Sequence, residues 1–97
     1  MKGFMRIKDF EIKAIKEAVH TVDKDARIYI FGSRADAYAK GGDIDILVFS
    51  DKINLQEKLI IKRELFKNLE DQKIDIVVAQ DFEDPFIRDI YKDAIAL

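Results

Sequence analysis

The chain has no cysteine and no tryptophan, one histidine, one proline and four glycines in 97 residues. Without cysteine there can be no disulfide, no thiolate nucleophile and no Cys-based zinc site. His20 alone excludes a multi-histidine metal site. No apolar run approaches the ~20 residues of a membrane span, and Met1-Lys2-Gly3 opens no signal-like segment, so a cytoplasmic protein without membrane contact is expected. No repeat and no Gly-, Ser- or Pro-rich tract divides the chain, and one domain over 1–97 is expected at this length. Neither charge sign prevails: 17 Lys and Arg stand against 19 Asp and Glu, a net charge of −2. The basic excess that direct nucleic-acid binding calls for is missing. Carboxylate, hydroxyl and backbone groups remain as the means of chemistry.

The periodicity predicts four helices and three strands. A first helix runs from Asp9, a plausible N-cap, to about His20, with Ile12, Ile15 and Val19 on one stripe flanked by Phe10, Ala14 and Ala18. Arg27 to Phe31 reads as a strand apolar on both faces, with Tyr29 in the sheet core, and it stops at Gly32-Ser33. A short helix over Arg34 to Ala39 and a Gly41-Gly42 turn lead to a second strand, Asp43 to Phe49. Asn54 with Glu57 resembles a capping box opening a helix to about Glu70, whose expected buried stripe is Leu55, Leu59, Phe66 and Leu69. Lys73 to Ala79 is a third strand. Asp84-Pro85 begins a last helix to about Ile95, with Phe86, Ile87, Ile90, Tyr91 and Ala94 on a wide apolar arc. That arc suggests a homodimer or a hetero-complex. The class expected is α/β (α+β), a small mixed sheet of about three strands in the order α-β-α-β-α-β-α.

Connection lengths fix how the strands meet. The short link between the first two strands makes them antiparallel neighbours, whereas the long helix between the second and third suits a right-handed parallel crossover. The end of the first strand and the starts of the other two then share one edge, where Ser33, Asp43, Asp45 and Asp75 collect. Residues two apart on a strand face the same way, so Asp43 and Asp45 repel each other. A divalent cation would resolve that conflict, and oxygen-only ligands favour Mg²⁺ or Mn²⁺ over zinc. Asp75 interrupts an apolar strand at the equivalent position. A strand ending in Gly32-Ser33 offers backbone N–H groups and a hydroxyl to an anion. Taken singly, a D-x-D is most often a solvated strand end and Gly-Ser an ordinary turn. Together they place a phosphate cradle beside a metal pair. His20 reads as a capping or surface residue, and Lys40 as a loop charge.

Phe31-Gly32-Ser33-Arg34-Ala35 followed by Gly42-Asp43-Ile44-Asp45-Ile46-Leu47-Val48 resembles the G-S…D-x-D signature of the DNA polymerase β nucleotidyltransferase superfamily. Its minimal branch, the MNT antitoxins found beside HEPN-domain proteins, is the nearest in pattern. The resemblance spans nearly the whole chain. Nine residues separate Ser33 from Asp43, where members commonly have ten, and Ala37 and Gly42 stand where many have Gly and Ser. A haloacid-dehalogenase-type phosphatase would place the motif just after a strand, with Thr or Val where Leu47 stands.

The resemblance implies a Mg²⁺-dependent transferase that moves a nucleoside monophosphate, AMP from ATP, to a hydroxyl. Gly32 and Ser33 would hold the triphosphate, with Arg34 adding positive charge. Asp43 and Asp45 would bind metal, and Asp75 would complete the metal site and help deprotonate the acceptor. The acceptor would be a tyrosine of a HEPN toxin, whose toxicity is thereby suppressed. Two alternatives stay open: a non-catalytic module that neutralises such a partner by complex formation, and the catalytic subunit of a larger transferase.

Overall fold

The computed structural model describes residues 7–35, 43–69 and 73–97. Along these, the chain forms α1 (Asp9–Val22), β1 (Arg27–Phe31), a 3-10 turn (Gly32–Ala35), β2 (Ile44–Phe49), α2 (Leu55–Asn68), β3 (Ile74–Ala79), α3 (Pro85–Tyr91) and β4 (Ile95–Ala96). The sheet order is β3-β2-β1-β4. β1 runs antiparallel to β2 with Phe31 opposite Asp45, and β2 runs parallel to β3 with Asp45 beside Asp75. This is the mixed sheet that the connection lengths predict, in a small α+β fold.

The fourth strand is a correction. The last helix was expected to reach Ile95 but ends at Tyr91, after which Tyr91 O accepts from Ala94 N–H at 3.1 Å in a closing turn. Ile95 and Ala96 then pair with Ile30 and Tyr29 of β1, and Leu97 N–H donates to Ile28 O at 3.0 Å. Apolar residues at helical spacing cannot reveal that an open strand edge with unpaired backbone groups waits nearby.

Alternation along the strands gives the sheet two apolar faces. On one, Ile28, Ile30, Ile44, Ile46, Val48, Ile74 and Ile76 are buried beneath α1 and α2, which supply Ile15, Ala18, Val19, Ile61 and Leu65. On the other, Leu47, Phe49 and Ala79 pack with Ile87 of α3, with Tyr29, Phe31, Val77 and Ile90 half-buried around them. Rings crowd this second face: Tyr29, Phe49 and Phe82 all pack against Tyr91, mostly edge to face.

Helix starts follow side-chain acceptors. Asn54 caps α2 by accepting from Glu57 N–H at 2.9 Å, and Glu57 returns the bond to Asn54 N–H at 3.2 Å. The capping box is as the sequence predicts. Asp84 accepts from Phe86 N–H at 2.9 Å and starts α3 with Pro85 in its first turn. For α1 the cap lies one residue earlier than expected, at Lys8, whose N–H donates to the Glu11 carboxylate at 2.9 Å. The helix continues two residues past His20, whose Nε2 lies 3.2 Å from Ala26 O.

Two stripes also differ from expectation. In α1 the buried set is Glu11, Ile15, Ala18 and Val19, with Phe10 exposed. In α2 Ile61 and Leu65 are buried, together with the capping Leu69, whereas Leu55, Leu59 and Phe66 point to solvent. Both apolar sets have helical spacing, and only contact with the sheet selects between them. The expected helix end at Glu70, the Gly41-Gly42 turn, Asp36 to Ala39 and Lys40 lie outside the described residues.

Candidate active site

The second face is covered unevenly. α3 is seven residues long and packs over the Leu47, Phe49 and Ala79 end. At the opposite end of the same face, alternation sets Asp43, Asp45 and Asp75 in place of apolar residues. Asp43 immediately precedes β2, and the next residue's N–H donates to Lys73 O at 2.9 Å, so the starts of β2 and β3 are bonded together there. Parallel register then makes Asp45 and Asp75 direct neighbours.

Asp45 is the most constrained of the three. Burial, then the Asp75 charge, then the Asp43 charge push its carboxyl pKa above the usual aspartate value, with Lys73 opposing. Gly32, at the end of β1, has φ +72°, a left-handed conformation that side chains with a Cβ rarely adopt. A Cβ there would also overlap Asp45 Oδ2. The Asp45 carboxylate therefore reaches across to the backbone of the turn; the positive φ calls for glycine, and an added Cβ would displace that carboxylate. Ser33 follows in the 3-10 turn. The short helix expected from Arg34 onward is, within the described residues, this turn starting at Gly32.

Two partners were not foreseen. Lys73 Nζ lies 3.8 Å from Asp43 Oδ2, both on exposed side chains. Arg34 Nη1 lies 4.0 Å from Glu11 Oε1, with 14% and 5% of the two side chains exposed. Glu11, which the apolar stripe of α1 leaves out, thus joins the start of α1 to the turn after β1. The signal that could have found it is an acidic side chain within the first turn of a helix, where the helix dipole favours negative charge.

Three mutually repelling oxygen donors, one with a raised pKa, suit a hard divalent cation by their chemistry. Among the described residues, no three His, Cys, Asp or Glu side chains already converge tightly enough to hold one.

The nucleotidyltransferase domain model matches residues 12–97, from within α1 to the end of β4. The chain belongs to the nucleotidyltransferase domain family. Its members generally use a nucleoside triphosphate and a divalent metal, and a nucleotidyl-transfer function follows for this domain. No curated protein sequence is similar enough to the chain to count as a relative. Among the described residues, no helix is long and apolar enough to cross a membrane.

Proposed function

We propose that this nucleotidyltransferase domain transfers AMP from ATP, with Mg²⁺, to the hydroxyl of a tyrosine on a HEPN-domain partner, and so acts as an antitoxin. The observation that carries the reading is the register pairing of Asp45 with Asp75 at the sheet edge facing Gly32. It supports a site where a triphosphate on the turn and an acceptor hydroxyl at β3 can meet.

In this reading the turn at Gly32-Ser33 holds the triphosphate. Arg34, anchored at Glu11, adds positive charge beside the turn. Asp43 and Asp45 would hold Mg²⁺, or Mn²⁺, with Asp75 as the third carboxylate. When bound, the ion supplies neutralisation of phosphate charge at the reacting phosphorus. The acceptor oxygen attacks the α-phosphorus in line, the bond from that phosphorus to the bridging oxygen breaks, and pyrophosphate leaves. Asp75 accepts the hydroxyl proton, a role suited to the carboxylate on the outermost strand. Most of the acceleration comes from positioning and electrostatic preorganisation.

Incubation of the purified domain with labelled ATP, Mg²⁺ and a HEPN partner tests the reading. Label transferred to a partner tyrosine, lost with Asp45→Asn, is the expected result. A stable complex without label transfer would make the domain a neutralising module. Label transferred to another acceptor would make it the catalytic subunit of a different transferase.

A further inference from the structure

Half of the large apolar side chains exposed among the described residues lie on one 14-residue helix, α2: Leu55, Leu59, Ile60 and Phe66. Ile60 belongs with Ala14, Ala18 and Val22 in a groove of about 400 Å³ against α1. The other three are 70%, 54% and 64% exposed. At ~100° per residue they fall within about 40° of arc, a straight seam along the helix, roughly a third of a turn from the Ile61 and Leu65 positions that face the core. Charge is sorted around this seam. Lys58 and Lys62 flank it on one side and Arg63 and Lys67 on the other, while Glu57 and Glu64 sit on the far side, toward α1.

We infer that this seam docks an amphipathic helix of a partner protein whose apolar stripe is bordered by Asp and Glu. Three apolar positions at i, i+4 and i+11 match the narrow seam of helix–helix pairing rather than the broad apolar arc that sinks into a lipid surface. A second copy is disfavoured, because two antiparallel α2 helices would bring their cationic borders together. Acidic borders complete the pairing, steer the encounter and set its orientation. Phe66 lies toward the C-terminal end of α2, the end from which the chain returns to the start of β3 and Asp75. That end of α2 lies at the same end of the sheet as the carboxylates but on its opposite face.

The test is a titration of the labelled domain, in the absence of nucleotide and metal, with two synthetic helical peptides. Both carry Leu at i, i+4, i+7 and i+11; one is flanked by Glu and the other by Lys. Backbone amide shifts should move along Leu55, Leu59, Lys62, Arg63 and Phe66 with the Glu-flanked peptide. Its affinity should exceed that of the Lys-flanked peptide by at least about tenfold and fall with added salt. Phe66→Asp and the pair Lys62→Glu, Arg63→Glu should each weaken binding by about tenfold or more, with circular dichroism unchanged. Equal binding of both peptides, shifts away from α2, or no binding overturns the inference. So does dimerisation that Phe66→Asp abolishes, which assigns the seam to a second copy, or binding to phosphatidylserine vesicles but not to peptide, which assigns it to a membrane. Because the titration contains no nucleotide, its outcome is independent of the transfer assay.

Discussion

The two faces of the sheet use the same strands for different ends. The face under α1 and α2 is aliphatic along its whole length, with Ile30, Ile44, Ile46 and Val48 fully buried. The face under α3 is graded: Leu47, Phe49 and the rings around Tyr91 lie at one end, Asp45 and Asp75 at the other, with Phe31 opposite Asp45. A shift of one residue along β2 moves from Ile44 or Ile46, sealed in the core, to Asp45, half-exposed and raised in pKa. The closed face holds the backbone rigid, so the open face can keep like charges side by side. Stability and chemistry are separated by the pleat.

The largest effect expected from breaking this contrast lies on the open face. Asp75→Asn should reduce nucleotidyl transfer by ~10²–10⁴, the range for removal of a general base, while metal-dependent ATP binding persists. Asp45→Asn should abolish both. Calorimetry with ATP and Mg²⁺ beside the labelled-ATP assay separates the two outcomes. Neither change should lower the melting temperature in metal-free buffer.

The closed face should respond in the opposite sense. Ile46→Ala leaves a cavity in a fully buried position and should cost about 2–5 kcal/mol by urea unfolding. Tyr91→Ala, at a residue 37% exposed on the other face, should cost less than half as much. An equal loss at both positions would mean that the rings of the open face contribute as much as the aliphatic core.

A smaller effect joins the faces. Gly32→Ala places a Cβ at positive φ and against the Asp45 carboxylate, and should cost about 1–2 kcal/mol from the backbone alone. Transfer activity should fall further than stability predicts, because Asp45 must move. Chemical denaturation and the transfer assay on one sample would check this.

The smallest expected effects are pH dependences of opposite sign. At the far end of the sheet, buried Asp23 accepts from Ser50 Oγ at 2.5 Å and Asp25 N–H at 3.0 Å, bonds that hold its carboxyl below the ordinary 3.8, with Lys52 nearby. Its contribution to stability is complete above 3.8 and lost as pH falls through the lower folded-state value. Ser50→Ala should therefore reduce the acid sensitivity of unfolding below that pH. Asp45 is raised above 3.8, so its contribution is favourable below 3.8 and lost as pH rises through its folded-state value. Asp45→Asn in metal-free buffer should consequently raise the melting temperature at neutral pH, most clearly at low salt.

The sheet register was legible because D-x-D, the Gly-Ser stop and the connection lengths each constrain the backbone locally. Asp45 opposite the end of β1 and beside Asp75 is where those constraints lead. The ion pairs of Asp43 with Lys73 and of Arg34 with Glu11 were not legible, since each joins side chains whose approach depends on how elements pack. The α2 stripe fell between these cases. Its periodicity identified a helix, but Leu55, Leu59 and Phe66 match helical spacing as well as Ile61 and Leu65 do.

By itself the sequence determined the first two long helices, the three longer strands with their antiparallel and parallel pairings, and the carboxylates brought to one edge, because alternation, capping and turn chemistry act over a few residues. Tertiary structure alone decided which apolar stripe of α2 is buried, that Ile95 and Ala96 leave the helix to close the edge of β1, and that Gly32 makes room for Asp45. Those outcomes depend on which unpaired backbone groups and uncovered surfaces come within reach once the sheet has formed, and distant positions along the chain do not encode that reach.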